Sequence, residues 1–301
     1  MSIHVRFWGV RGSIPTPGPA TRRYGGNTPC VEVRTPKARF ILDAGSGLRE
    51  LGLRMAADAG ASPSISHLLL SHAHWDHIQG FPFFAPIYKP STTVRVYGTE
   101  PGDDRFYRLL SGQMDSDYFP VQFSDLAGHI VADHLNGGRR EVEDATVSVM
   151  PLCHPGGSLS FRIQLGEQSV VYATDNELDM GFDDIEQPND TGHGQAAQLR
   201  RLPDELVEFM HGTDLLIADG QYTDEEYPSR RGWGHSRATT AVDLAVAAKV
   251  DQLAIFHHDP MQSDTDVDAK VEACRRRATA LGAPGLSIFG AREGIELRIT
   301  G

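Results

Sequence analysis

Short apolar or alternating runs, each ending abruptly at polar residues, recur along this chain between longer segments of helical period. Val5–Val10, Cys30–Arg34 and Arg39–Asp43 read as strands, followed by a helix over Ser46–Ala57 with Leu48, Leu51 and Leu53 toward one side. Ile65–Ser71 and Val94–Gly98 are further strands, and Asp103–Leu110 is a helix. Val142–Leu152 alternates as one strand, and Ser158–Leu165 with Gln168–Ala173 forms a hairpin around Gly166. Ala196–His211 reads as a helix, Asp214–Ala218 as a strand, and Arg237–Ala248 as a helix with Ser236 as its N-cap. Asp251–His257 is a strand, Asp264–Leu281 a helix, and Leu286–Phe289 and Gly294–Ile299 are closing strands. Strands and helices alternate without a break in composition, which predicts an α/β fold and a single domain over residues 1–301.

Two stretches resist this periodicity. Gly12–Asn27, with PTPGP and YGGN, is too rich in glycine and proline for a core element; it frames a site mouth or simply connects two strands. Glu177–Gly194 is polar and acidic and reads as an exposed loop or lid, with Asp183, Asp184 and Glu186 on a solvated face. Tyr118 and Phe119 precede Pro120 without a clear period and either wall a substrate pocket or fill the core.

Composition narrows the class. Apolar content of 40% and charged content of 23% are those of a soluble globular protein. No apolar run approaches the roughly 20 residues a bilayer demands, and MSIHVRFWGVRG lacks the apolar stretch of a signal peptide. Cys30, Cys153 and Cys274 are odd in number and scattered, which predicts reduced thiols and a cytoplasmic location. The net charge of −12 argues against long nucleic acid as a partner, which needs a basic surface, and the lack of a long apolar run leaves no membrane partner expected. A homodimer remains an open assembly.

The candidate chemistry sits where strands stop. Leu68–His77 reads LLLSHAHWDH, an apolar run that enters His72, His74, Asp76 and His77 directly. Polar groups gathered at a strand end must be paired or desolvated at a cost, so a core role is excluded. His72 and His74, two apart, point the same way in an extended segment, whereas Asp76 and His77 diverge and can serve a second point in space. Imidazole and carboxylate donors suit zinc, manganese or iron. His154 in HPGGS, Asp175 in YATDN and His257 in FHHDP also stand at strand ends, as do Asp43 in LDAGSG and Asp219.

The H-x-H-x-D-H spacing after a buried strand resembles the metallo-β-lactamase superfamily. That resemblance implies a four-layer αβ/βα sandwich, two mixed sheets flanked by helices, with a metal site at one edge. It also implies two divalent ions: His72, His74 and His154 at the first, Asp76, His77 and His257 at the second, and Asp175 as the bridge. Asp43 would orient a ligand. The Gly234-His235-Ser236 sequence is similar to the ribonuclease Z and cyclic phosphodiesterase branch, in which this histidine contacts the scissile phosphate. The same branch places its last ligand three residues before a proline, which maps to His257; alternation alone cannot choose between His257 and His258. Asp76 and His235 are then the expected catalytic groups, with Asn27, Ser158, Tyr118 and His258 as candidate supporting or substrate residues.

The function this implies is hydrolysis of a cyclic nucleotide or another small phosphodiester by an activated water. A lactone, thioester or lactam hydrolase is the first alternative, and a non-catalytic metal- or ligand-binding module the second. The basic arm with which ribonuclease Z grips transfer RNA has no Lys/Arg-rich counterpart here.

Overall fold

The computed structural model describes residues 1–58, 64–99, 102–136, 138–182 and 198–300. In chain order its strands are β1 (Ser2–Gly9), β2 (Cys30–Arg34), β3 (Arg39–Leu42), β4 (Ser64–Leu69), β5 (Thr92–Gly98), β6 (His129–His134), β7 (Arg139–Val142), β8 (Ala145–Leu152), β9 (Ser158–Leu165), β10 (Gln168–Ala173), β11 (Leu215–Asp219), β12 (Gln252–Phe256), β13 (Ser287–Gly290) and β14 (Glu296–Thr300). The helices are α1 (Gly47–Asp58), α2 (Trp75–Ile78), α3 (Arg105–Gly112), α4 (Asp204–Met210), α5 (Ala238–Ala247) and α6 (Asp264–Ala280).

They build two seven-stranded sheets, ordered β14-β1-β2-β3-β4-β5-β6 and β13-β12-β11-β10-β9-β8-β7. Each sheet is half antiparallel and half parallel: β3 to β6 run parallel in the first, and β10 to β13 in the second. An apolar layer including Phe7, Phe40, Leu69, Phe161, Tyr172 and Phe256 lies between the sheets. Leu48, Leu51 and Met55 of α1 and Phe106 and Leu110 of α3 cover the outer face of the first sheet. Helices α4, α5 and α6 cover the second around Leu206, Leu244 and Cys274. This is the four-layer sandwich with two mixed sheets. Strands buried on both faces, such as β11, lose the alternation of half-exposed ones and read as continuous apolar runs.

Several elements depart from the sequence reading. Leu53 is 45% exposed, and Met55 takes its place on the buried stripe of α1, a full turn beyond Leu51. The run Val142–Leu152 is two strands: Glu143 adopts φ 56° and turns β7 into β8. Strand β6, with no buried residue, has too polar a sequence to stand out. Helix α4 begins only at Asp204, because Pro203 stands at its N-cap; Ala196, where the helix was expected to start, lies outside the described residues. Ser236 does not cap α5, whose N-cap is Arg237. The Ser236 hydroxyl is already engaged, donating to the Asn176 carbonyl and accepting from the Leu178 amide. Glu177, Leu178 and Asp179 are buried rather than on an exposed loop; Asp183, Asp184 and Glu186 lie outside the described residues.

The parallel strands of both sheets deliver their C-terminal ends to one rim, the usual place for a site in such sheets. Asp43 follows β3, Ser71–His77 follows β4, Asp175 follows β10, Asp219 ends β11 and His257 follows β12. Asp43, Asp175 and His257 all take left-handed backbone, with φ of 61°, 53° and 57°. Such conformations cost residues bearing a β-carbon roughly 1–3 kcal/mol each and persist only where the surroundings enforce them. Here they turn each side chain out of the sheet and into the rim.

Candidate metal centre

Two side chains from the loop after β4 and one from beyond the end of each of β8 and β10 converge first. Possible ligand atoms of His72, His74, His154 and Asp175 lie within 4.8 Å of one another, and so do those of Asp76, His77 and His257. His72 and His74 point the same way, their rings 4.4 Å apart. Asp76 and His77 do not diverge: α2 winds them together until Asp76 Oδ2 lies 3.3 Å from His77 Nε2, and both join the second cluster.

Asp175 faces both clusters. Its Oδ2 is 3.5 Å from His72 Nε2 and 3.7 Å from His154 Nε2, while its Oδ1 is 3.2 Å from His77 Nε2 and 3.3 Å from His257 Nε2. His74 Nδ1 is 3.2 Å from His154 Nε2, and His257 Nε2 is 3.3 Å from Asp76 Oδ2. Donors bound tetrahedrally at the zinc–nitrogen distance stand about 3.3 Å from each other, so these separations fit donors sharing an ion. Two buried nitrogens, His72 Nε2 and His77 Nε2, have no hydrogen-bond partner. Orphaned buried acceptors are costly and call for an unseen partner. The donor set therefore fits two divalent ions.

The surrounding groups fix which nitrogen of each ring is bare. Carbonyls and carboxylates only accept, so a ring nitrogen against one carries the proton. His77 Nδ1 donates to Asp43 Oδ2 at 2.8 Å, His154 Nδ1 to the Gly234 carbonyl at 2.9 Å, and His257 Nδ1 to Gln221 Oε1 at 2.8 Å. In all three the Nε2 lone pair is left facing the centre. Asp43 is itself held by the Ser71 amide and hydroxyl and by the Tyr172 hydroxyl, at 2.7, 2.8 and 2.7 Å.

Charge in the cluster is unbalanced toward carboxylate. Burial disfavours protonated His77, yet Asp175, Asp76 and Asp43 push its pKa well above the usual imidazole value. Burial, aided by His77, takes His72 down to about 2, the neutral form a metal requires. Burial opposes ionisation of Asp76, but His77 and His257 hold its pKa well below the usual carboxylate range. Bound cations would supply the missing positive charge.

His235 stands beside the shared carboxylate, its Nε2 4.0 Å from Asp175 Oδ2 and its ring stacked on His257 at 4.8 Å. Its Nδ1 donates to Asp219 Oδ2 at 2.7 Å. Burial lowers its pKa, but Asp219 outweighs that and carries it up to about 9. Asp219 also accepts from the Asp175, Gln221 and Ser236 amides, tying the two sides of the rim together.

The loop Gly12–Asn27 frames the centre. The Ser13 amide donates to Asp76 Oδ2 at 2.8 Å, and a β-carbon on Gly12 would come within 2.4 Å of the His257 ring, so only glycine fits. Gly234 is equally constrained, with φ 90° and the His154 ring 2.2 Å from where a β-carbon would stand. Four expected supporting residues lie elsewhere. Asn27 bonds Glu293 and Ser46, and Ser158 donates to the Thr174 carbonyl. Tyr118 is 77% exposed, while its neighbour Phe119 packs edge-on against Phe83. His258 turns away from the clusters, donating from Nε2 to the Ala291 carbonyl against the Tyr24 ring.

Residues the sequence did not single out are Gln221, Glu177 and Asp219 in its anchoring role. Glu177 accepts from the Gly232 and Gly234 amides at 2.7 Å and so holds the loop that presents His235. Asp219 carried a signal, since it ends an apolar strand before glycine just as Asp43 ends one before Ala44-Gly45. Gln221 and Glu177 carried none.

The choice between His257 and His258 yields an expected result. His257→Ala removes a donor of the second cluster and loses metal there. His258→Ala keeps the metal and lowers stability by roughly 1–3 kcal/mol, through the unpaired Ala291 carbonyl. Metal analysis of the two purified variants checks this; metal loss in His258→Ala alone reverses the assignment.

This fold brings together a donor set suited to divalent metal ions. The chain belongs to the β-lactamase superfamily, whose domain profile matches residues 38–188. It is similar to the ribonuclease Z of Natronomonas pharaonis, at 22% identity over 287 residues, covering 85% of this chain and 87% of that protein. Among solved structures it shares the fold of the metallo-β-lactamase fold protein YhfI from Bacillus subtilis, with a TM-score of 0.66 at 16% identity over 99% of this chain and 100% of that one. It also shares the fold of a diphosphatase from the PhnP family, with a TM-score of 0.64 at 18% identity over 98% of this chain and 97% of that one. Among the described residues no helix is long and apolar enough to cross a membrane.

Proposed function

We propose that this chain is a dinuclear metal phosphodiesterase that cleaves a small phosphodiester. The observation that carries the reading is Asp175, with one oxygen toward each cluster and His235 beside it. His72, His74, His154 and Asp175 would hold one ion, and Asp76, His77, His257 and Asp175 the other, with zinc favoured by the imidazole-rich set and manganese or iron compatible with it. When bound, the ions supply Lewis acidity that polarises the phosphate and lowers the pKa of the attacking water.

The protein's own groups do the rest. Asp43, Gly234 and Gln221 fix the ligand tautomers, so the centre is organised before substrate arrives. His235, held by Asp219, keeps a proton on Nδ1 and directs Nε2 toward the shared carboxylate. From there a protonated Nε2 neutralises the phosphate or gives its proton to the leaving oxygen. Glu177 clamps the loop that sets this position.

RNA is a second reading, favoured by the ribonuclease Z relative that aligns over most of both chains. The net charge of −12 weighs against a long RNA gripped electrostatically. A panel holding a chromogenic phosphodiester, 3′,5′- and 2′,3′-cyclic nucleotides, precursor transfer RNA and a thioester tests the proposal on metal-loaded protein. Turnover of the small phosphodiesters supports it. Cleavage of precursor transfer RNA alone selects the RNA reading, and cleavage of the thioester alone, or of nothing, overturns both.

A further inference from the structure

Beside the first cluster lies a cavity of about 390 Å³, a size that suits a small-molecule ligand. It is lined by His72 and His74 of the first cluster, by Gly156 and Gly157, and by Arg105 and Arg108 of α3. In a chain of net charge −12, none of the described residues lining this cavity is acidic. The two arginines are three apart on α3 and therefore share a face. Arg108 pairs with Asp104 at 2.7 Å, but both side chains are more than half exposed, so that pair is weak and easily exchanged. Arg105 makes no side-chain ion pair among the described residues. Guanidinium groups in this setting match a phosphate, which they can grip with two parallel hydrogen bonds.

We propose that Arg105 and Arg108 form a subsite for a second phosphate, so that the ester cleaved at the centre belongs to a substrate with at least two phosphate groups. The inference rests on the phosphodiesterase reading for the bond that is cut, and it selects short linear oligonucleotides with a further phosphate over cyclic mononucleotides. A cyclic mononucleotide has one phosphate; with that group at the metal centre it has nothing to offer the arginine wall. A short linear oligonucleotide with a terminal phosphate fills both and offers a diester to cleave. A nucleoside bisphosphate, which carries only monoesters, fills both as a mimic without a diester bond.

The test is binding to the metal-loaded protein by calorimetry, using thymidine 3′,5′-bisphosphate and the two thymidine monophosphates. One charge-assisted hydrogen-bonded contact contributes about 1.5–3 kcal/mol, so the bisphosphate should bind roughly 10- to 100-fold more tightly than either monophosphate. The double variant Arg105→Ala/Arg108→Ala should bind all three alike. It should fold, since α3 is anchored by Phe106 and Leu110 while both arginines are exposed. Equal affinities in the wild type, or discrimination that survives in the double variant, overturn the subsite. Turnover is not needed for this readout. A protein that discriminates but hydrolyses no phosphodiester keeps the subsite and loses the proposed reaction, and one that hydrolyses without discriminating does the reverse.

Discussion

Asp175→Ala is expected to abolish hydrolysis and to release at least one metal ion. Among the described residues Asp175 is the one carboxylate with an oxygen in reach of donors from both clusters, and it is almost completely buried. Without it the first cluster consists of neutral imidazoles only, and the second retains Asp76 as its sole anionic donor. Two like-charged cations would then face each other with no negative charge between them, in surroundings too buried for solvent to screen the repulsion. Alanine also removes the acceptor for the Thr174 hydroxyl, a second, structural effect that needs its own control. Asp175→Asn separates the two causes. Asparagine tolerates the left-handed backbone at φ 53° and nearly keeps the shape, but it brings no charge. It should lose metal almost as alanine does, with a melting temperature of the metal-free protein close to that of the metal-free wild type. Retention of both metals with near-normal turnover in either variant would show that Asp175 does not bridge.

His235→Ala should behave in the opposite way toward metal. Its Nε2 is 4.0 Å from the nearest Asp175 oxygen, and its Nδ1 is committed to Asp219, so its loss leaves both donor sets complete. Turnover of a phosphodiester should fall by about 10²–10⁴, the usual range for a positioned acid–base group. The pH dependence carries a signature. Asp219 keeps the imidazole protonated up to about 9 despite burial, and nearby cations lower that ceiling. The charged form is present below the pKa and disappears as pH rises through it, so the wild type loses activity on the alkaline side. The variant should lack that alkaline limb. Removal of the ring also leaves Asp219 without its cationic partner, but three amides still bond this carboxylate, which limits the damage to the fold. Metal loss in His235→Ala would make His235 a ligand and displace one of the donors now assigned.

The sequence exposed the donors better than it exposed their supports. His72, His74, Asp76 and His77 were legible because the spacing is dense and follows an apolar strand without a break. His154, Asp175 and His257 were legible as the polar residues on which three other strands stop. The conflict between His257 and His258 could not be settled by alternation, because His257 leaves the strand with φ 57° and its side chain obeys neither face. Gln221 and Glu177 were invisible for a different reason. Each is a single polar residue whose role comes from a partner 36 or 57 positions away, and no local pattern records such a contact. The same holds for Arg105 and Arg108, which look like any exposed helix charge until the fold places them over the first cluster. Errors in the elements had local causes of the same kind: a left-handed Glu143 split one strand into two, and the Ser236 hydroxyl was spent on a loop rather than on a helix cap.

Two adjoining donor sets face each other across Asp175, and a shared carboxylate there requires two ions per chain. Metal analysis of the purified chain after reconstitution with zinc, manganese or iron tests it most directly. Two ions per chain, falling when Asp175 is replaced, is the predicted result; fewer than one ion per chain in the wild type would contradict it.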